Sequence, residues 1–484
     1  MGNNETITKK KVVGSFLWKL MERLFSQGIN LVVQIILARL LLPEDFGSLA
    51  IIVAITNYAA IFVQSGLATA IVQREEIDDL DISTLLTASL GIAGIFYVIL
   101  FFVSPLIANF YEIQELTWAL RVLSLILFLN AINSVQTAVL SRKMQFRKLF
   151  LRTIVAVPIA GAVGIVMAYM DMGIWALVAH NLVNMAVIVI FMSFDKTLRF
   201  PLKFSFSRVK KIYAFSGKIL LTSIVTGLHD TIRTMVIGKK YSSEDLGYYD
   251  KAYTYSNYIT LIVNSSISSV LLPTFSRSQN DFGALKGMAR RSIKLSAFIM
   301  FPVLVGAALI CEPLVRLLLT EKWLPCVPYL VLFCFLRIPG CLLSVDRQVY
   351  YAIGRSGINL FYEIGLFILN IATLLVTMQY GVIYIAIGAT AVEFLGGFLI
   401  CCISHKTYGY TLWERCFDLF KPFMNTAIMA VCVWAAKFIP VGYFGGMLLQ
   451  IFFGVLAYIG SAILLRDENF KYLLSTIKQT ISKK

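Results

Sequence analysis

Residues 14–58 read GSFLWKLMERLFSQGINLVVQIILARLLLPEDFGSLAIIVAITNY. The pattern is a long apolar helix bearing one polar stripe, a Pro-Glu-Asp turn, and the start of a second apolar helix. Lys19, Arg23, Gln27, Asn30 and Gln34 follow one another at intervals of 4, 4, 3 and 4 residues. At roughly 100° per residue they fall within about 80° of one another, on one helix face. A lipid-facing helix would not give a whole face to such groups, whereas a helix lining a watery cavity would.

The pattern recurs. Lys218, Thr222, Thr226, His229 and Arg233 repeat the same intervals 199 residues downstream. The segment LLPEDFGSLAIIVAITNY is then echoed by KYSSEDLGYYDKAYTYSNY. At an offset of 200, Glu44, Asp45 and Gly47 meet Glu244, Asp245 and Gly247, and Asn57-Tyr58 meets Asn257-Tyr258. Farther on, Ser104-Pro105-Leu106-Ile107 resembles Glu312-Pro313-Leu314-Val315, and Phe128-Leu129-Asn130 resembles Phe335-Leu336-Arg337. Repetition on this scale predicts two copies of one helical bundle. Pro43 suits the first helical position and Glu44 and Asp45 suit the helix dipole; in the second copy Ser243 is expected to cap in place of the proline.

Only 14% of the 484 residues are charged, against roughly 25% in soluble proteins, and 58% are hydrophobic, with mean hydropathy +0.78. Apolar runs of about 20 residues recur from end to end, so the fold class is an all-α polytopic membrane protein. The net charge of +16 is scattered between apolar spans, which membrane topology explains without a nucleic-acid partner. The eight cysteines all lie after residue 310 and form no CxxC pair; they read as packing residues, with neither a metal site nor a disulfide expected. Lys19, Glu22 and Arg23 interrupt any signal-peptide core after Lys9–Lys11, so the first helix is expected to be an uncleaved span.

Fourteen spans are predicted, at about 16–41, 47–70, 83–108, 116–140, 149–170, 173–194, 211–238, 250–272, 290–310, 326–350, 357–378, 381–403, 420–438 and 443–465. Twelve spans, with the last pair not crossing, is the alternative. The domain division is an N-terminal segment 1–15, an N-lobe 16–200, a C-lobe 201–410, two further spans within 411–466, and a basic tail 467–484. Lys and Arg concentrate in alternate loops, among them Arg142–Lys148, Lys196–Lys211 and Arg277–Arg291, whereas 109–115, 171–173 and 379–381 contain none. The positive-inside rule therefore places both termini in the cytoplasm, which requires an even number of spans. One loop dissents: residues 74–79, Arg-Glu-Glu-Ile-Asp-Asp, are acidic on a side expected to be cytoplasmic. Six spans per copy give both copies the same orientation, with the cavity between them.

With both repeats in view, the chain resembles the polysaccharide transporters of the multidrug/oligosaccharidyl-lipid/polysaccharide (MOP) exporter superfamily, and among them the Wzx-type flippases of the colanic-acid kind. The resemblance is carried by Ala38-Arg39-Leu40-Leu41-Leu42-Pro43-Glu44-Asp45-Phe46-Gly47, by Glu312-Pro313-Leu314 with Glu321-Lys322-Trp323, and by Tyr351-Ala352-Ile353-Gly354-Arg355. It spans nearly the whole chain. It implies two six-helix lobes around a central cavity, alternating access, and movement of a polyprenyl-(pyro)phosphate-linked oligosaccharide to the outer leaflet of the cytoplasmic membrane. The implied partners are that substrate, membrane lipids and other polysaccharide-assembly proteins. No cofactor is implied beyond a proton or sodium gradient.

In such a substrate the pyrophosphate is what the membrane opposes, since a bare charge at the bilayer centre costs at least ~2.5–3.5 kcal/mol. Lys19, Arg23, Lys218 and Arg233 are candidate cations, and an Arg fork suits phosphate. Gln27, Asn30, Gln34, Thr222 and Thr226 are candidates for sugar hydroxyls. Lys19, Arg23 and Lys218 also suit snorkelling anchors near the cytoplasmic end, where Glu22 can pair with either of the first two. His229, Asp230 and Arg233 lie deeper and favour function; the alternative is an Asp230–Arg233 ion pair between neighbours at i and i+3. Arg337, before Pro339-Gly340 in the tenth span, is either a substrate contact or a structural group. Glu393 and Asp230 are coupling candidates, Glu393 equally a partner for a buried cation. Arg39 and Lys239 read as interfacial anchors, Trp323 as an outer-interface aromatic, and His180 as a packed histidine. The serine- and asparagine-rich eighth span, Ser256 to Ser269, is too polar for lipid.

A multidrug exporter of the same superfamily is the second reading, but cationic drugs call for a cavity richer in carboxylates than these stripes. A membrane glycan polymerase or glycosyltransferase would carry a large loop or a nucleotide-sugar site. No loop exceeds about 18 residues and no P-loop, Rossmann or zinc signature occurs. The expected protein is a transporter and not an enzyme.

Overall fold

Pro43 opens the second helix, as the turn chemistry requires, and Asp45 accepts a hydrogen bond from the Leu42 amide at 3.0 Å. The computed structural model describes the backbone of residues 9–64, 71, 77–198, 200–276, 281–472 and 475. The helices run α1 Lys9–Leu40, α2 Pro43–Gln64, α3 Asp79–Tyr111, α4 Leu116–Leu123, α5 Ile126–Arg142, α6 Phe146–Tyr169, α7 Ile174–Ser193, α8 Phe206–Lys240 and α9 Ser243–Ser276. They continue as α10 Phe282–Leu309, α11 Cys311–Leu318, α12 Val327–Ala352, α13 Ser356–Thr377, α14 Val382–Tyr408, α15 Leu412–Ala436 and α16 Tyr443–Leu464. Helix is the expected solution for apolar runs, because each segment satisfies its own backbone polar groups where no water can.

Eleven helical stretches among the described residues are long and apolar enough to cross a membrane. The three remaining long helices are α1, α8 and α9, with 32, 35 and 34 residues. At ~1.5 Å per residue each exceeds a ~30 Å hydrocarbon core, and they are the helices that carry the polar stripes and the serine-rich run. Together these make the fourteen spans expected from the sequence. The last pair, α15 and α16, is among the eleven that are long and apolar enough to cross.

Contacts divide the chain into two units, Met1–Asp250 and Lys251–Lys484. In the first, α3 packs on α5, α5 on α7 and α6 on α7; in the second, the counterparts α10–α12, α12–α14 and α13–α14 pack likewise. The internal repeat is thus a repeat of packing as well as of sequence. It is imperfect in one place: α1 lies along α6, whereas its counterpart α8 lies along α2 and α3. Small residues permit these approaches, since lipid supplies no hydrophobic drive for helices to associate. A side chain at Gly161 would meet Val33 of α1 at 2.5 Å, and one at Gly227 would meet Ile61 of α2 at 2.3 Å.

Three local expectations are corrected. The cap of α9 is Ser242, not Ser243: the Ser242 hydroxyl accepts from the Asp245 amide at 3.0 Å and donates to the Asp245 carboxylate at 2.8 Å. Ser243 takes the first helical position, like Pro43. Trp323 is not an interfacial aromatic but fully buried, because the Glu321–Cys326 turn folds it inward. Pro105 lies within the unbroken α3, whereas its counterpart Pro313 follows a break at Ile310 and sits in the separate α11.

The dissenting acidic loop also finds its reason. Asp78 and Asp81 form a capping box at the start of α3, and Arg208, at the start of α8, forms ion pairs with both. The Asp78 carboxyl is held below its usual pKa by the hydrogen bond from Arg208. Acidic loop and basic linker neutralise each other at one end of the first unit.

Candidate functional site

Helix α8 has Thr226 and Asp230 exposed, His229 half-buried and Arg233 buried. These follow from the 3.6-residue period, which turns positions 226, 229, 230 and 233 to neighbouring azimuths. An Arg233 terminal nitrogen, Nη2, lies against His229 Nε2, and His229 Nδ1 is 3.2 Å from Asp230 Oδ1. With Arg233 as donor, His229 Nε2 accepts and its Nδ1–H donates to Asp230. Arg233 Nη1 is 3.9 Å from the same carboxylate oxygen. The side chain of Arg233 is 7% exposed and that of Asp230 53%. A charged cluster with one exposed carboxylate thus sits on a membrane-length helix, where such groups call for polar surroundings.

On α1, Gln27, Asn30 and Gln34 are half-buried. Asn30 donates to Ser26 at 3.4 Å, and the Gln27 side-chain oxygen has no hydrogen-bond partner among the described residues. The side chains of Lys19, Arg23, Lys218 and Thr222, and those of residues 261–270 with most of the serine run, lie outside the described residues. Glu22 exerts its charge on Arg152 of α6, a helix that α1 packs against.

Arg337 stacks over the Tyr253 ring at 4.5 Å and donates to the Tyr253 carbonyl at 3.5 Å, tying α12 to α9. Pro339 packs 3.3 Å from where a Gly397 side chain would begin, on α14. Glu393 is half-buried and acts electrostatically on Tyr362 of α13. Glu363 pairs with Arg347 at 2.6 Å. His180 is packed, as expected, with its Cβ against Gly164. Lys239 binds Glu112 at 3.0 Å and covers the Phe110 ring.

Sequence reasoning overlooked three buried groups. Arg152 donates to Asn133 at 2.8 Å and Thr137 at 3.1 Å between α5 and α6. Asp346 of α12, fully buried, receives a two-pronged hydrogen bond from Arg415 at 2.9 and 3.0 Å and further bonds from Ser404 and Tyr408. Asp418 accepts from Arg290, Lys294 and Tyr410. The available signal was a lone Asp346 inside the tenth span, which demands a cation elsewhere.

The N-terminal ends of α2 and α9 meet directly. A Cβ at Gly47 would fall 1.7 Å from the Ser243 carbonyl oxygen, and one at Gly247 would fall 2.0 Å from the Pro43 carbonyl oxygen. Positions related by the internal repeat thus touch backbone to backbone, at the opposite end of the first unit from the Asp78–Arg208 pair.

Residues 36–328, more than half of the chain, match the family described as polysaccharide biosynthesis protein. The chain is 25% identical over 419 residues to the lipopolysaccharide biosynthesis protein WzxC of Escherichia coli (strain K12), covering 84% of this chain and 85% of that protein. It is 23% identical to the teichuronic acid biosynthesis protein TuaB of Bacillus subtilis (strain 168), covering 79% and 80%. It is 25% identical to the succinoglycan biosynthesis transport protein ExoT of Rhizobium meliloti (strain 1021), covering 72% and 70%. Its fold is that of the lipid II flippase MurJ in an inward closed conformation, with TM-score 0.79 at 16% identity over 93% of this chain and 99% of that one. An inward-facing multidrug resistance MATE transporter of the MOP superfamily gives 0.61 at 17% identity, over 79% and 96%. The chain belongs to the polysaccharide biosynthesis protein family.

Proposed function

We propose that this multi-pass membrane protein is a flippase. It moves a polyprenyl-(pyro)phosphate-linked oligosaccharide from the inner to the outer leaflet of the cytoplasmic membrane, for export of a cell-surface polysaccharide. The observation that carries this function is the Arg233–His229–Asp230 cluster, partly open on a membrane-length helix. A pyrophosphate crossing the hydrocarbon core needs a cation with planar, paired donors, and Arg233 is one. His229 and Asp230 hold its guanidinium in place before substrate arrives, so little ordering remains to be done on binding. Gln27, Asn30, Gln34 and Thr226 offer the amide and hydroxyl groups that sugars require. The relatives named for polysaccharide biosynthesis and transport support the same substrate class.

Transport proceeds by alternating access. Both termini and the basic ends face the cytoplasm, and the Gly47–Gly247 crossing closes the outer side. Asp230 and Glu393 are the proposed coupling carboxylates, with a proton or sodium gradient as the driving force. Other polysaccharide-assembly proteins are proposed partners on the outer side. The protein breaks no bond in its substrate and is a transporter, not an enzyme.

The test is leaflet exchange in proteoliposomes, following a labelled polyprenyl-pyrophosphate oligosaccharide by its accessibility to an external enzyme. Exchange by wild type that Arg233→Ala loses supports the proposal. Efflux of a drug-like cation without glycolipid exchange overturns it in favour of a multidrug exporter. Glu393→Gln should abolish any gradient dependence of exchange; an unchanged dependence would make Glu393 structural.

A further inference from the structure

Helix α16 ends at Leu464, and the chain turns at Arg466 in the left-handed region, φ 47°. Asp467, 1% exposed, fixes that turn by accepting from Asn425 at 3.1 Å and from the amide and side chain of Asn469 at 2.9 Å each. Glu468, Asn469 and Tyr472, which follow that turn, face α10. Between them lies a cavity of about 410 Å³ lined by Gly287, Arg290, Arg291, Lys294, Glu468, Asn469 and Tyr472.

The three cations differ in their commitments. Arg290 and Lys294 are both held by the buried carboxylate of Asp418, at 2.7 and 2.9 Å, and Arg290 also donates to Glu414 at 3.3 Å. Asp418 fixes their direction while leaving unused N–H groups on each. Arg291 has no carboxylate partner among the described residues. Its guanidinium instead stacks 3.9 Å over the Tyr472 ring, which locks the plane and leaves the donor edges free. Among the described lining residues one carboxylate, that of Glu468, stands with three cations, two of which are already paired with Asp418 and Glu414.

The cavity sits where two apolar spans end, and Leu464 and Leu465, both exposed, immediately precede its wall. A cation-lined recess at that depth suits a phosphodiester whose acyl chains lie along α16. We infer that this recess binds the headgroup of an anionic phospholipid, Arg291 gripping the phosphate and Glu468 accepting from headgroup hydroxyls. It lies on the second unit and does not depend on the transported substrate.

The test uses the purified full-length protein, stripped of lipid in detergent and titrated with phosphatidylglycerol, phosphatidylethanolamine, phosphatidylcholine or soluble glycerol 3-phosphate, with binding followed by native mass spectrometry. Phosphatidylglycerol should bind at least about tenfold more tightly than either zwitterionic lipid, and Arg291→Gln should remove about tenfold of its affinity. Tyr472→Leu, which removes the stack, should weaken binding in the same direction. Lys471→Gln deletes an equal charge outside the recess and should leave affinity within about twofold, so equal losses in Arg291→Gln and Lys471→Gln would reduce the effect to diffuse surface attraction and overturn the site. Equal binding of phosphatidylethanolamine would overturn its selectivity for anions. Binding of glycerol 3-phosphate as tightly as the lipid would overturn the lipid as its occupant. Arg291 and Lys471 are both exposed, so neither substitution removes core packing.

Discussion

Gly47 and Gly247, two hundred residues apart, meet where α2 and α9 begin, so closely that a methyl group on either would strike the other helix's backbone carbonyl within 2.0 Å. No side chain can move aside to relieve that clash, because the obstacle is main chain. Gly47→Ala should therefore disfavour the closed crossing by roughly 1–3 kcal/mol, the usual scale of overpacking. In the leaflet-exchange assay this predicts a loss of about tenfold or more, together with increased reagent access from the outer side. Gly28→Ala is the control: a side chain there meets nothing within 4 Å, so the same substitution in α1 should be neutral or slightly stabilising. Equal exchange by wild type and Gly47→Ala would show that the crossing does not gate transport.

Arg233 is oriented through His229, whose second nitrogen is 3.2 Å from Asp230. Arg233→Lys keeps the charge and loses the fork, so it should retain part of the exchange that Arg233→Ala abolishes. His229→Ala removes the orienting group while leaving the cation, and should raise the substrate concentration for half-maximal exchange several-fold with a smaller effect on the maximal rate. A fall in maximal rate alone would place His229 in the conformational step instead.

The Asp346–Arg415 pair joins α12 to α15, with side chains 0% and 4% exposed. Removing one member leaves the other charge buried, at a cost of about 3–5 kcal/mol. Arg415→Met should lower the thermal unfolding midpoint in detergent by several degrees. Combining it with Asp346→Leu should recover much of the loss, because the stranded carboxylate is gone. If the double variant were as unstable as the sum of the two singles, the two side chains would be acting independently and not as a pair.

Asp195, between α7 and α8, is held at a pKa of about 2 by the ammonium of Lys148, with Thr197 assisting. Its folded-state pKa lies below the ordinary 3.8, so the stabilisation is present above about pH 4 and is lost as pH falls towards 2. The pair is partly exposed, which limits its effect to about 2 °C in the unfolding midpoint. Asp195→Asn should show that deficit at pH 7 and converge on wild type below pH 4. A deficit unchanged at pH 2 would belong to packing. Asp195 titrates below the physiological range, so pH dependence of transport between 5 and 8 must arise at other groups.

The local signals read correctly from the sequence were those that depend on periodicity and solvent preference. Apolar runs of span length and the Pro43 turn each depend on neighbours within a few residues. The repeat was legible because it is a comparison of the chain with itself, and the packing of α3–α5 and α10–α12 carries it into space. Even the misplaced cap of α9 was wrong by a single residue.

What only the tertiary structure decided is which charge meets which. Arg415 reads as one more basic loop residue until Asp346, 69 positions away, is seen beneath it. Asp78 reads as an exception to the charge rule until Arg208, 130 positions away, pairs with it. Trp323 has the composition of an interfacial anchor and the position of a core residue. Hydropathy and helical period are properties of a segment, so the sequence by itself determined the spans and their polar faces. Burying a charge is stable only beside a partner, and the partner is chosen by packing between distant segments, so the pairs belong to the fold.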